Sequence, residues 1–274
     1  MMAAVSVFPS QRELGAALAR LVAEAAAEAV ASGGRFALGL SGGSLVPLLA
    51  RELPPALGAV PGADPARWLV ALCDERLVPP EHPESSGGAY RSQLLSQFPP
   101  PGPQFLSVST DLDPPAAAQD YEQQLRRAFP GSQIPQFDLL LLGVGPDGHT
   151  CSLFPGHALL QEQEALVGAL QDSPKPPPRR VTMTLPLLNA SRSVLMVAAG
   201  AAKAPVIKRI LEGQEQHQEQ GQGQGQGQDQ GQGRGLCPPP AALVRPRSGR
   251  LRWLLDREAA GELQGPLETC PGNN

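Results

Sequence analysis

Apolar positions along this chain fall into short unbroken runs separated by mixed segments of helical character. An Ala-rich stretch opens at Ser10 and Glu13, the spacing of a capping box, and predicts a long helix to about Val30, closed by Gly33-Gly34. RFALGL (35–40) and RWLVALC (67–73) read as buried strands, as do the apolar run 137–142, RSVLMVAAG (192–200) and GRLRWLLD (249–256). RRVTMTL (179–185) alternates with period two. LVPLLAREL after residue 44, segments near 90–97 and 115–129, and KAPVIKRIL (203–211) read as helices. Unbroken apolar strands between helices imply an α/β fold, with a mostly parallel sheet covered by helices on both faces.

In such sheets ligands sit beyond the carboxyl ends of the strands. The unusual residues of this chain all follow strands. Ser41-Gly42-Gly43-Ser44 joins a strand to a helix, where free amides and hydroxyls suit a phosphate. The same residues also suit an ordinary tight turn with Ser44 as N-cap. Asp74-Glu75-Arg76 ends the next strand; Arg76 suits a phosphate or carboxylate clamp, or a capped turn with a local ion pair. Lys203 stands two residues before Pro205, beside a helix start, where it either meets an anion or is simply solvated.

DLLLLGVGPDGHTCSLFPG (138–156) contains GxGxxG at Gly143, Gly145 and Gly148. A dinucleotide fingerprint needs a following helix and an acid ending the next strand about 20 residues on. Pro155-Gly156 interrupts, and Glu162 and Glu164 lie in a polar, helix-like segment. The other reading is a turn that presents Asp147 and His149. An imidazole there can take a proton from water and return it to a leaving oxygen, or it can be a buried structural histidine.

Net charge is −4, so neither nucleic acid nor an anionic membrane is an expected partner. Cys73, Cys151, Cys237 and Cys270 form no CxxC pair, and no zinc cluster or disulfide framework is expected. The N-terminal residues lack a secretory pattern and no run reaches a membrane span, so a reduced, soluble, cytoplasmic protein is expected. Residues 1–274 are read as one α/β domain. Within it, 213–236 are a Gln/Gly-rich insertion expected to be disordered, because nothing apolar repays its ordering. A monomer is preferred, with the oligomeric state left open.

The ordered set SGGSL (41–45), DERLVP (74–79), LGVGPDGHTCSLFP (142–155), RVTMTLPLLN (180–189) and GAAKAPVIKRIL (200–211) closely resembles the glucosamine-6-phosphate isomerase/6-phosphogluconolactonase family, and within it animal lactonases. The resemblance implies the sugar-phosphate isomerase/deaminase fold. It further implies hydrolysis of 6-phospho-D-glucono-1,5-lactone in the oxidative pentose phosphate pathway, with a small sugar-phosphate lactone as the partner and no metal or nucleotide cofactor. By position it assigns catalysis to His149, phosphate binding to Gly42, Gly43, Arg76 and Lys203, and a further contact to Arg180. Ser44 joins the phosphate set through its amide, and Asp147 either orients His149 or fixes its turn. Many members carry an Asn in the loop where this chain has Glu84-Ser85-Ser86-Gly87-Gly88.

Three other readings differ in a measurable property. A deaminase of the same fold would release ammonia from glucosamine 6-phosphate. A sugar-phosphate sensor would bind without chemistry. A dinucleotide-binding protein would bind NAD(P) tightly.

Overall fold

A computed structural model of the chain describes residues 4–32, 34–213 and 237–264, and the backbone of 268–269. The Gln/Gly-rich segment lies, from residue 214 onward, outside the described residues.

The helix that Ser10 opens is α1 (Gln11–Ala31), and the Ser10 hydroxyl accepts a hydrogen bond from the Glu13 amide. Four of the unbroken apolar runs become β2 (Phe36–Leu40), β3 (Trp68–Leu72), β6 (Leu139–Gly143) and β9 (Ser193–Ala198). The fifth is β10 (Arg250–Asp256). The sheet gains three strands that the pattern did not predict: β1 (Ala4–Phe8), β5 (Gln104–Leu106) and β11 (Glu268–Thr269). The order is β11-β1-β10-β9-β6-β2-β3-β5, every pair parallel.

The strands are apolar throughout because both faces of the sheet are covered. Phe36, Leu38 and Leu40 of β2 pack with α1 and with Leu45 and Leu49 of α2 (Leu45–Ala59). Ala37 points into the opposite layer, with Tyr121 and Leu125 of α4 (Pro114–Ala128) and Ile207 and Ile210 of α6 (Ala204–Leu211). β9 divides in the same way, Leu195 and Val197 into one layer, Val194 and Met196 into the other. Successive side chains of a strand alternate faces, so a sheet buried twice needs both to be apolar.

Asp74-Glu75-Arg76 departs from expectation. These residues are not a turn but β4 (Asp74–Arg76), which leaves the large sheet and joins an antiparallel one of order β4-β8-β7, with β7 (Val167–Leu170) and β8 (Arg180–Met183). In β8, Arg76 faces Arg180 and Asp74 faces Thr182. Both sides of β8 are buried, so its period-two sequence does not mark a solvent face. A four-residue helix, α5 (Leu185–Leu188), follows it. The helix near 90–97 begins earlier, as α3 (Ser86–Gln93), because Ser85 caps it by accepting from the Gly88 amide.

Two buried tyrosines complete the strand ends that lead to the unusual residues. Tyr90 donates to the Ser41 carbonyl at 2.6 Å. Tyr121 donates to the Leu72 carbonyl at 2.9 Å and accepts from the Leu72 amide at 2.8 Å. Where the ladder runs out, side chains satisfy the buried backbone. No helix among the described residues is long and apolar enough to cross a membrane.

Candidate functional site

The loops after β2, β6 and β9 and the short sheet that begins at β4 meet at the carboxyl end of the large sheet. Contacts link them in sequence. The Ser41 hydroxyl lies 3.6 Å from the Cys151 sulfur, joining the loop after β2 to that after β6. Ser152 donates to Asp74 at 2.8 Å and accepts from Arg180 at 3.3 Å, joining the β6 loop to the small sheet.

In the loop after β2, Gly43 has φ of +70°, and a Cβ there would meet nothing within 4 Å. Gly42 is close-packed instead: its Cβ would fall 2.0 Å from the Ser86 hydroxyl. Ser44 occupies the N-cap position of α2 but its side chain makes no capping bond. At the exposed start of α2 the Ser44 hydroxyl therefore has no bond to a described residue, as suits an anion site better than a finished cap.

Two of the three GxGxxG glycines make room for neighbouring side chains, while a Cβ on Gly143 would meet nothing within 4 Å. A Cβ on Gly145 would fall 2.0 Å from two atoms of the His149 ring, and one on Gly148, whose φ is +85°, would fall 2.5 Å from Pro239. The turn is closed by Gly145 N–H donating to the His149 carbonyl at 2.8 Å and by Gly148 N–H donating to the Gly145 carbonyl at 2.9 Å. No helix follows: the next helical turn, of 3-10 type, spans Ala158–Gln161, after Pro155-Gly156. Gly145 and Gly148 accommodate the protein's own side chains and no helix follows the turn, which fits the second of the two readings and not a dinucleotide fingerprint.

His149 is held from several sides. Its Nδ1 lies 2.5 Å from Asp147 Oδ1, and its ring stacks at a 33° tilt on Phe154, with centroids 4.8 Å apart. A carboxylate only accepts, so the proton of that contact sits on Nδ1 and the lone pair on Nε2. Nε2 has no hydrogen bond with a described residue. Burial pushes the imidazole pKa down, and the Lys175 charge acts in the same direction, against the raising influence of Asp147 and Asp74. Partial burial raises the Asp147 pKa, but the His149 hydrogen bond and the charges of His149 and Lys175 outweigh it and hold the carboxyl below its usual range.

Arg76 and Arg180 stand on facing positions of β4 and β8. Burial, and then the Arg76 charge, lower the Arg180 pKa. Like charges opposite each other in a sheet destabilise it unless an anion intervenes. Arg76 donates to Glu84 Oε2 at 2.7 Å and to the Glu84 carbonyl at 3.1 Å, while its buried Nε has no partner among the described residues. The local ion pair of the alternative reading is thus made by Arg76 with Glu84. Glu75 turns to α3 instead, accepting from the Ser86 and Gly87 amides at 2.8 and 2.6 Å.

Arg180 is in the site but largely engaged. It donates to the carbonyls of Lys175, Pro176 and Pro177, to Ser152, and lies over the Phe154 ring. Lys203 ends a short 3-10 turn at the start of α6 and makes no ion pair with a described residue. Burial, then the Lys175 charge, lower its pKa, with Asp147 acting oppositely. Lys203 therefore lies in the same electrostatic field as the Asp147–His149 pair.

Sequence reasoning missed Lys175, whose Nζ is 3.1 Å from His149 Nδ1 and 3.3 Å from Asp147 Oδ1. The only hint is its place in the proline-rich segment that precedes β8. Glu84 and Ser152 were also missed as partners of Arg76 and Asp74. Among the described residues, no group of three or more His, Cys, Asp or Glu side chains could hold a metal ion.

Comparison with known proteins places the chain in a family. Residues 9–253 match the family model described as glucosamine-6-phosphate isomerases/6-phosphogluconolactonase. The chain is 54% identical to 6-phosphogluconolactonase of Homo sapiens, covering 96% of this chain and 95% of that one. It is 40% identical to a probable 6-phosphogluconolactonase of Drosophila melanogaster, over 95% and 96%. The solved 6-phosphogluconolactonase of Trypanosoma brucei superposes with a TM-score of 0.73 at 26% identity, covering 96% of this chain and 99% of that one. A monomeric glucosamine-6-phosphate deaminase shares the fold, with a TM-score of 0.68 at 20% identity, over 96% and 100%. With both the motifs and nearly the whole length matched, the chain belongs to the glucosamine-6-phosphate isomerase/6-phosphogluconolactonase family.

Proposed function

We propose that this protein hydrolyses 6-phospho-D-glucono-1,5-lactone to 6-phosphogluconate, the lactone-opening step of the oxidative pentose phosphate pathway. The observation that carries the reading is His149: Nδ1 is committed to Asp147, and Nε2 is left as a base with no partner among the described residues. At the same carboxyl end of the sheet are Arg76, whose buried Nε has no partner among the described residues, and Lys203, with no counter-ion among them. A 6-phosphogluconolactonase relative at 54% identity supports the same substrate.

In this reading Arg76, Lys203 and the Gly42–Ser44 turn hold the phosphate, and Arg180 offers its remaining donor. Fixing the far end of a small sugar aligns its carbonyl with water before any bond changes. Nε2 of His149 then takes a proton as the water oxygen bonds to the carbonyl carbon. The tetrahedral intermediate collapses, the bond from that carbon to the ring oxygen breaks, and the imidazolium returns its proton to that oxygen. The product acid ionises, and the imidazole is neutral again. Asp147 acts by holding the Nδ1–H tautomer and stabilising the transient imidazolium. The described residues act as one α/β domain in this scheme, since β1, β2 and β10 share one sheet.

The test is a pH-stat assay at neutral pH with freshly made lactone, corrected for spontaneous opening. Acid release well above that background supports the reading. Release of ammonia from glucosamine 6-phosphate, without lactone hydrolysis, would assign the protein to deamination.

A further inference from the structure

Lys175 is a charged group in direct contact with the Asp147–His149 pair, and nothing in the scheme above uses it. Its backbone is unusually well held for a proline-rich segment. The Arg180 guanidinium, itself buried, donates to the carbonyls of Lys175 and Pro177 at 2.9 Å and of Pro176 at 3.1 Å. Ser173 donates to the Lys175 carbonyl at 2.9 Å and accepts from its amide at 3.3 Å. The ammonium thus extends from a fixed point, 3.1 Å from His149 Nδ1 and 3.3 Å from Asp147 Oδ1. A solvated lysine needs no such anchoring.

We propose that Lys175 is a positioning residue which, through Asp147 and the edge of the imidazole, keeps His149 an uncharged base with its proton on Nδ1. The proposal rests on the lactonase reading. An ammonium only donates, and Nδ1 already directs its own proton at Asp147, so Lys175 donates to Asp147 Oδ1. Its charge then lies against the ring, where a second imidazole proton would add another positive charge.

The groups that act on His149 are few. Asp147 comes from its own turn, Asp74 from β4, Lys175 from the segment before β8, and the Phe154 ring covers one face. Both carboxylates favour the imidazolium; burial and Lys175 oppose it. Lys203, from the start of α6, feels the charges of the same Lys175 and Asp147. Without Lys175 the two carboxylates face no cation in contact with the ring. The imidazole then holds a proton on Nε2 at a higher pH, where it can no longer take one from water.

The experiment compares wild type, Lys175→Met and Lys175→Arg. The pH profile of kcat/KM for lactone hydrolysis is measured beside the His149 imidazole titration by NMR, with His149→Ala identifying the resonance. In Lys175→Met the acidic limb and the imidazole titration should move upward together by about one pH unit. Lys175→Arg should stay with wild type. Lys175→Gln repeats the measurement if the Met variant does not fold. Loss of activity with both titrations unmoved, or a downward movement, overturns the proposal. If the wild type fails to hydrolyse lactone, the functional reading falls. The imidazole titration still decides whether Lys175 governs His149.

Discussion

The turn after β2 and the turn after β6 leave adjacent strands of one sheet, touch through Ser41 and Cys151, and are both rich in glycine. Their glycines answer to different neighbours. Over Gly43 there is open space, and the capping position beside it is unfinished. Over Gly145 the space is filled by His149, and over Gly148 by Pro239. At Gly43 one turn leaves room for something from outside the chain; at Gly145 the other clears space for an imidazole and its carboxylate. A glycine motif read as a string does not distinguish them, because both reasons select the absence of Cβ.

The comparison can be broken most directly at His149. His149→Ala should lower kcat by about 10²–10⁴-fold while leaving sugar-phosphate affinity nearly intact, the range ordinarily lost with a general base. Turnover measured beside product binding by calorimetry checks it; unchanged turnover would remove the proposed base. Gly145→Ala should imitate this loss from the backbone, on the order of 10²-fold in kcat, because the new methyl displaces the ring it would overlap.

On the binding side, Arg76→Ala or Lys203→Ala should raise KM by roughly tenfold to a hundredfold with a smaller effect on kcat, as loss of a charged hydrogen bond does. Gly43→Ala sharpens the contrast. It meets no neighbour, so its cost should be backbone strain of about 1 kcal/mol, seen in chemical denaturation, together with a weaker KM.

The smallest effect concerns pH. Burial disfavours imidazolium, so His149 stays neutral below the ordinary imidazole value of 6.5. Wild-type kcat/KM should therefore be flat through neutrality and fall only once pH drops below that lowered pKa. A limb at or above 6.5 would contradict the burial argument.

Much of the frame was legible because the signals were local. Ser10 and Glu13 opened α1, and unbroken runs marked the central strands. β1 was missed although Val5, Ser6 and Val7 alternate, because its burial comes from pairing with Arg252–Asp256 at the far end of the chain. The small antiparallel sheet was missed for a similar reason. Asp74-Glu75-Arg76 has no apolar residue to announce a strand, and only β8 gives it a partner.

By itself, then, the sequence determined the kinds of element, their alternation, and which polar residues follow strands. Those depend on neighbouring positions and on the demand that a doubly covered sheet be apolar. The tertiary structure alone decided that Arg76 faces Arg180 and pairs with Glu84, and that Lys175 reaches the Asp147–His149 pair. Strand order and loop contact bring those groups together, and electrostatic influence between side chains follows distance in space, not separation along the chain.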